Sequence, residues 1–341
     1  LPFRITGNID WGVPAPDMDG TSGLTVWCWP ESLWAPISFT QTALDLDAQT
    51  GGTRFSTDDW RDWWCSEDAR VYQFIGQDNI SFYCVAQPAL WDALDWGLVQ
   101  DTPIANYHIL FMNKKASSSG AIKPPMVAEL LDAYTPEQLR AHWLSLGLDQ
   151  KAVSFNPKPF DTSVSHKDKK TGEEGLVKDD PRIVDPALKE SAFLTNIFNR
   201  LARSCFYGAA NVCDAHLPQV APHAEVMEAC RRATLEFERL AHGFDAHGAL
   251  AVADELCRQE NKRWDDASKA AKGDDAAYEQ ALAHAFCALR TVTLLMHPAV
   301  PSGCEKICEH MGFGAEDFFS WKHAFDGPVE LAATLGQTPV E

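Results

Sequence analysis

The stretch AAYEQALAHAFCALRTVTLLM, residues 276–296, decides the fold of the second half of this chain. Apolar residues recur through it at helical spacing, and no glycine or proline interrupts it. Four further stretches with the same period surround it: SAFLTNIFNRLARSCFYGA (191–209), PHAEVMEACRRATLEFERLAHGF (222–244), HGALAVADELCRQENKRWDDASKAA (247–271) and CEKICEHMGF (304–313). Glycine, proline and aspartate separate the stretches, as is typical of helix ends. The sequence therefore predicts five amphipathic helices in an antiparallel bundle.

The first 150 residues have a different pattern. Short runs of β-type composition occur at LTVWCW (24–29), VYQFI (71–75) and YHILFM (107–112), and the helical stretch ISFYCVAQPALWDAL lies at 80–94. Such an alternation predicts an α/β domain with a mainly parallel sheet. The predicted fold class is thus α/β followed by all-α.

A polar segment separates the two patterns. Residues 161–186, DTSVSHKDKKTGEEGLVKDDPRIVDP, are charged and poor in large apolar side chains, which predicts a surface excursion or linker. Its basic cluster at 167–170 is either a solvated loop or a phosphate contact. We therefore divide the chain into residues 1–150, 151–190 and 191–341.

The overall charge excludes several classes of protein. The chain has 341 residues with 29 Lys and Arg against 48 Asp and Glu, a formal net charge of -19. A general nucleic-acid or membrane-surface binder needs cationic surface, so any contact with RNA must be local. No apolar run is as long as a membrane span, and the start LPFRITGNID has neither a signal segment nor an initiator Met. We expect no membrane partner and a chain cut from a longer one.

The ten cysteines lack the spacing of a zinc site. No CxxC pair is followed by a second pair, although Cys304 and Cys308 lie four residues apart. We expect free thiols in a reducing, cytoplasmic compartment and no zinc ligation.

Six segments follow one another in an order that points to a known family. They are ITGNIDWGVPAP (5–16), TVWCWPESLWAPISF (25–39), YQFIGQDNISFY (72–83), NKKASSSG (113–120), LRAHWLSLGL (139–148) and LTNIFNRLARS (194–204). In order and approximate spacing they resemble the second half of methionyl-tRNA synthetases, over almost the whole chain. The resemblance implies the second half of a class I Rossmann-like nucleotide-binding fold in 1–150, a stem-contact region in 151–190 and an anticodon-binding helical bundle in 191–341.

The resemblance also implies an amino-acid pocket. Methionine activation needs an apolar slot for the thioether and an acid for the ammonium group. Trp27 matches the family's tryptophan, and Trp34 stands where a tyrosine is usual. Pro30 and Glu31 replace a small alanine and a proline, and Trp29 occupies the place of an acid. These replacements change both the volume and the polarity of the slot.

The segment at 72–83 adds contacts to the amino acid and to ATP. Asp78 matches an acid that in the family lies near the amino-acid and ribose groups, and Gly76 precedes it as an ATP contact. Tyr83 replaces the usual histidine. By themselves, one Asp after a strand and a few aromatic residues are also typical of core packing in any α/β domain.

The loop NKKASSSG resembles the family's KMSKS-type phosphate loop. Lys114 aligns with the first lysine, Ser117 with the second and Gly120 with the trailing glycine. A serine hydroxyl cannot supply the positive charge that the second lysine gives to the pyrophosphate, so Lys115 is the nearby cation that could substitute. The same residues are equally typical of a surface turn, in which case adenylate formation is weak or absent.

One motif of the class I fold is missing from this sequence. None of the 11 histidines stands in an HxGH arrangement, the motif that contacts the ATP phosphates in the first half of the fold. We therefore expect that the active site is incomplete without a first half, whether upstream in the same gene or lost in a paralogue.

The segment LTNIFNRLARS resembles the family's anticodon-contacting helix. Asn196 and Arg200 match an Asn and an Arg of the anticodon pocket, and their i, i+4 spacing puts both on one helix face. A polar pair that joins or caps helices is the other interpretation. The family's Pro-Trp pair, whose indole stacks on a base, is replaced by Lys269 and Ala270. Trp264 either takes over the stacking or packs between helices.

Two functional hypotheses result. The first is the C-terminal part of a methionyl-tRNA synthetase-like protein, which joins an amino acid to tRNA through an adenylate with ATP and Mg²⁺. The second is a non-catalytic module of the same descent that binds tRNA or a protein partner through its bundle. The net charge predicts weak or no binding of tRNA by this chain alone.

Overall fold

The computed structural model describes residues 3–52, 54–115, 123–156, 165–167, 174–176 and 193–335. The chain divides into two compact units, Leu1–His108 and Ile109–Glu341. The change of sequence pattern near residue 150 thus lies inside the second unit. Most of the charged segment 161–186 lies outside the described residues, but Ser165–Lys167 and Glu174–Leu176 pair as antiparallel strands.

The first unit alternates short strands and helices. Its strands are β1 (Thr6–Gly7), β2 (Thr25–Val26), β3 (Tyr72–Gly76) and β4 (Thr102–Asn106). Its helices are α1 (Cys28–Ser32), α2 (Ala35–Gln49), α3 (Trp60–Trp64) and α4 (Gln87–Leu94), the last preceded by a π-helical segment, Phe82–Ala86. The strand predicted over 24–29 is shorter than expected. Helix α1 begins at Cys28 because Pro30 fits the first turn of a helix, where a missing N–H is harmless.

Parallel pairing is present, but the described strands form several small sheets. Strand β3 pairs parallel with β4, with Phe74 opposite Ile104. In the second unit β5 (Ile109–Phe111) pairs parallel with β7 (Val153–Phe155) and antiparallel with β6 (Lys114–Lys115). The prediction of one mainly parallel sheet is therefore wrong for the described residues. The two parallel pairs, β3–β4 and β5–β7, lie in different units.

The core of the first unit is small and aromatic. Ile37, Trp64 and Trp91 are buried together, and the Trp64 and Trp91 rings meet edge to face with centroids 5.7 Å apart. The Trp64 indole N–H donates to Thr40 Oγ1 at 2.9 Å, which satisfies its polar group. Helices α2, α3 and α4 are thus joined through two tryptophans.

The second unit begins with the β5–β7 sheet and two helices, α5 (Val127–Ala133) and α6 (Pro136–Leu144). The helices that follow are α7 (Asn199–Val212), α8 (Ala224–His242), α9 (Ala246–Ala270), α10 (Asp275–Met296), α11 (Pro301–His310), α12 (Ala315–Phe318) and α13 (Pro328–Leu335). All five helices predicted between 191 and 313 are present. The described helices α5, α6, α12 and α13 of this unit have no counterpart in the prediction.

Helix α10 is the centre of this unit. Every residue from Ala281 to Met296 is buried, so this part is covered on all sides rather than on one amphipathic face. It packs against α7, α8, α9 and α11. Among the residues that the structure describes, no helix is long and apolar enough to cross a bilayer.

Candidate functional site

The first candidates for the amino-acid pocket lie between Trp27, which precedes α1, and Trp34, which precedes α2. Trp27 is half-buried before α1, and the Arg4 guanidinium lies over its ring at 4.0 Å. Pro30 is buried in α1, and Trp34 packs against the core of Ile37, Trp64 and Trp91. Trp34 therefore packs against the core of the first unit, as an aromatic residue can in any α/β domain. The resemblance implies a second role for it, as a wall of the amino-acid pocket.

The segments 27–34 and 82–83 meet through an aromatic stack. The rings of Trp29 and Phe82 are parallel within 8°, with centroids 4.2 Å apart. Tyr83 follows Phe82 in the π-helical segment and is half-buried, as is Glu31 on the other segment. The structure thus brings together the two segments in which the resemblance implies the slot, and Trp29 of this stack stands where the resemblance implies an acid.

Gly76 and Asp78 form the turn after β3. A Cβ on Gly76 would lie 2.7 Å from Asp78 Oδ1, so a larger residue there would displace this carboxylate. Asp78 itself is exposed in the 3-10 turn Gln77–Asn79. An exposed carboxylate directly after a parallel strand is placed where ligands bind in open α/β sheets.

A buried polar network begins on β3, the strand before this turn, and sequence analysis did not identify it. Gln87 is fully buried and donates through Nε2 to the Leu33 carbonyl at 2.6 Å. Gln73 donates to Gln87 Oε1 at 2.6 Å and also to Asp101 Oδ2. Burial raises the pKa of Asp101, while the bond from Gln73 opposes that shift. The network joins β3, α4 and the residue after α1, and three polar residues spaced apart in sequence gave no signal for it.

The phosphate-loop lysines lie in the second unit. Lys114 and Lys115 form β6 and are both exposed. Met112 and Asn113 have φ of 49° and 62°, the left-handed values of a two-residue hairpin turn between β5 and β6. The Asn113 N–H donates to Ser154 Oγ at 2.8 Å and fastens this turn to β7. Ser117 and Gly120 lie outside the described residues.

The three anticodon candidates line a single groove, which we call the Arg200 groove. It has a volume of about 530 Å³, and its walls include Asn196, Arg200, Arg203, Tyr207, Trp264 and Tyr278. These residues come from α7, the π-helical segment before it (Phe193–Phe198), α9 and α10. The groove therefore unites residues from Thr195 to Tyr278, of which the family resemblance named three.

Asn261 holds the unusual turn that carries Asn196. Its Nδ2 donates to the Ile197 carbonyl at 3.0 Å and to the Cys257 carbonyl at 3.1 Å. π-Helical turns are rare and leave carbonyl groups that need partners. Asn261 is buried on α9, and its amide supplies such a partner from the facing helix.

Trp264 packs between helices, which was one of the two alternatives that the sequence left open, while its stacking on a base stays a prediction. Its side chain is 8% exposed and belongs to the core of the helical region, so it packs between helices. It also forms part of the groove wall beside Tyr278, whose ring meets it edge to face at 5.4 Å. Lys269 and Ala270, at the end of α9, are exposed.

Arg200 has an acidic partner within the protein. Its Nη2 donates to both carboxylate oxygens of Asp265, each at 2.6 Å. Asp265 follows Trp264 directly in the sequence, yet nothing in the sequence pattern distinguished it from Asp266. In the described residues, no group of three or more His, Cys, Asp or Glu side chains is arranged to hold a metal ion.

Comparison with known proteins assigns the chain to a family. Residues 1–167 match the family described as tRNA synthetases class I (M). The methionine–tRNA ligase of Methanoculleus marisnigri is 25% identical over 343 residues and covers 98% of this chain. That of Dehalococcoides mccartyi is 24% identical over 318 residues and covers 92%. Residues 1–167 thus belong to this family, and the similarity to methionine–tRNA ligases extends over nearly the whole chain.

The chain spans about half the length of the curated relatives it matches, 44% and 51% for these two. A crystal structure of Mycobacterium tuberculosis methionyl-tRNA synthetase bound by methionyl-adenylate has a TM-score of 0.68 and 20% identity. The match covers 99% of this chain and 59% of that one, and it shows a shared fold.

Proposed function

We propose that this chain is the C-terminal part of a methionyl-tRNA synthetase-like protein. The protein joins methionine to tRNA through an aminoacyl-adenylate, and the residues of this chain need a first half of the fold to complete the active site. The observation that carries the proposal is the meeting of Asn196, Arg200 and Trp264 in one groove. Relatives that align over nearly the whole chain support it. The proposal places the protein in the cytoplasm.

In the proposed reaction the methionine carboxylate attacks the α-phosphorus of ATP and pyrophosphate leaves. Trp27 and Trp34 wall the thioether slot, together with Pro30, Glu31 and Tyr83 at its rim. Gly76 and Asp78 contact the ribose and the amino acid. Lys114 and Lys115 lie in an exposed strand, so their ammonium groups are free to approach the phosphates that accumulate negative charge. Mg²⁺ bound to the phosphates of ATP would screen the same charge.

The tRNA part of the proposal assigns bases to the Arg200 groove. Trp264 and Tyr278 give it an aromatic wall on which an unstacked base can lie. Asn196 offers both a donor and an acceptor to a base edge, and Arg200 offers donors. These groups fit single-stranded loop nucleotides rather than a duplex, whose bases are stacked inside.

Amino-acid-dependent ATP–pyrophosphate exchange on the full gene product tests the catalytic part. We expect exchange with methionine, and a marked loss in Lys115→Ala, because Ser117 cannot carry the charge of the missing lysine. Lys151→Ala removes an exposed lysine outside the loop and controls for net charge. Absence of exchange with every amino acid would reject catalysis.

The non-catalytic module is the second candidate, and the Trp29–Phe82 stack favours it. An indole at the position of the family's acid gives the slot no carboxylate there for the ammonium group. Retained RNA binding without pyrophosphate exchange would support this candidate.

A further inference from the structure

A second groove lies along the other side of α7, and we call it the Lys306 groove. It has a volume of about 500 Å³ between α6, α7 and α11. Leu194, Phe206 and Ile307 contribute apolar and aromatic surface to it, while Arg203, Lys306 and His310 contribute basic groups. All of these residues belong to the second unit, so the groove is complete within it.

The two grooves share one ridge. Thr195, Asn199 and Arg203 line both the Arg200 groove and the Lys306 groove. Arg203 is exposed, and its guanidinium lies 5.8 Å from the ring of Tyr207 in the Arg200 groove. A nucleic-acid strand that occupies the Arg200 groove therefore reaches the Lys306 groove as soon as it crosses α7.

The Lys306 groove is basic in a protein of net charge -19. Among the described residues that line it, Glu137 is the one carboxylate. Its Oε1 accepts the Ser302 N–H at 2.6 Å and the Gly303 N–H at 3.3 Å, so its charge is directed to the start of α11. Arg203 and Lys306 are exposed and remain available to an anion from solvent.

An aromatic platform lies beside these cations. The rings of His310 and Phe206 are 5.6 Å apart, and Phe206 in turn meets the buried Phe286 edge to face at 5.9 Å. Phe206 is thus held in place by the core, whereas His310 is exposed. Flat rings beside basic groups form the combination that binds a base and its phosphate in single-stranded nucleic acid.

We propose that the Lys306 groove is a second nucleotide subsite, for a nucleotide neighbouring the one in the Arg200 groove. Arg203 on the ridge and Lys306 in the groove beyond it contact the backbone phosphate of this nucleotide. Its base lies against the rings of His310 and Phe206. This inference rests on the proposed function, because it requires RNA in the first groove. It assigns Lys306 and His310, which the family resemblance did not mark, to RNA binding.

Fluorescence anisotropy with a labelled RNA hairpin whose loop carries the methionine anticodon CAU tests the subsite, at low salt. We expect His310→Ala to weaken binding by about tenfold, since one stacked base is lost. We expect Lys306→Ala to weaken binding and to reduce the slope of log affinity against log salt by about 0.7, the value for one phosphate in a single strand. Lys322→Ala, an exposed lysine outside both grooves, should change the salt slope less.

A photocrosslink gives an independent readout. A 4-thiouridine placed in turn at each loop position should join one nucleotide to a peptide of α7 or α11 that lines the Lys306 groove. If the wild-type chain binds and Arg200→Ala weakens it while Lys306→Ala and His310→Ala do not, the subsite is wrong and the Arg200 groove stands. If the wild-type chain does not bind the hairpin at low salt, the subsite and the RNA part of the proposed function both fail.

Discussion

Arg200 Nη2 lies 2.6 Å from each carboxylate oxygen of Asp265, across the space between α7 and α9. The two side chains are 51% and 40% exposed, so the pair adds little to stability. Its effect is on the charge of the groove instead. The guanidinium that would bind an RNA loop is already neutralised, and RNA must compete with Asp265 for it.

We expect Asp265→Asn to strengthen binding of the CAU hairpin by about threefold, the free-energy scale of an exposed ion pair. The substitution frees Arg200 and also removes one negative charge beside the groove. Anisotropy titrations at several salt concentrations measure the change. Asp266→Asn removes the same charge from the neighbouring exposed residue and should have a smaller effect. Equal effects of the two variants would mean that only net charge matters.

Trp264 is expected to contribute to stability as well as to binding. Because its side chain is 8% exposed within the helical core, Trp264→Ala should lower the free energy of unfolding by about 3–5 kcal/mol. Tyr207→Ala removes an aromatic side chain from the same groove, but that side chain is 64% exposed, so stability should change by about 0.5 kcal/mol or less. Urea unfolding followed by circular dichroism compares the two. A small loss in Trp264→Ala would show that the indole is not part of the core.

Two buried titratable groups, Glu260 and His284, make the free energy of unfolding depend on pH in opposite directions. Burial raises the pKa of Glu260 from 4.5 to about 7, although Arg263 at 3.1 Å opposes the shift. Between pH 4.5 and 7 the folded state therefore holds a proton that the unfolded state has lost, and stability falls as pH rises. Burial, with His223 and Arg263 nearby, lowers the pKa of His284 from 6.5 to about 4. Between pH 4 and 6.5 the unfolded state binds more protons, and stability rises with pH.

The two slopes oppose each other in the wild-type chain, and single variants should separate them. Relative to wild type, Glu260→Gln should become more stable as pH rises from 4.5 to 7, because the destabilising ionisation is removed. His284→Gln should gain relative stability as pH falls below 6.5. Each slope is limited to about 1.4 kcal/mol per pH unit for one proton. Urea midpoints across this range, read as differences from wild type, measure both, and parallel curves would refute the assignment.

Gly208 of α7 packs directly against Leu282 of α10. A Cβ at this position would lie 2.5 Å from Leu282 Cδ2, and Leu282 is fully buried. Gly208→Ala should therefore destabilise the protein by about 1–3 kcal/mol through overpacking, despite the better helix propensity of alanine. Leu282→Ala makes room for the added methyl. The double variant should thus lose less stability than the sum of the single losses, and strict additivity would contradict the close contact.

Local periodicity was enough to predict the long helices of the second unit. The helices between 191 and 313 could be predicted because each stretch carries its apolar pattern and its end signals within about twenty residues. The strand at 71–75 was predicted for the same reason. The strand at 24–29 was wrong beyond Val26, because a run of apolar and aromatic residues is compatible with either structure, and Pro30 with the surrounding packing selects a helix.

The sequence by itself determined the order of α/β and helical parts, the family resemblance and the identity of Asn196, Arg200 and Trp264 as candidates. Those inferences depend on residue type and spacing along the chain. Tertiary structure alone decided that the three share a groove, that Asp265 neutralises Arg200 and that a second basic groove adjoins the first. Each of these findings depends on which faces of α7, α9 and α11 lie opposite one another. The spacing of residues along a sequence predicts which of them share a face of a helix, but not which other helix that face packs against.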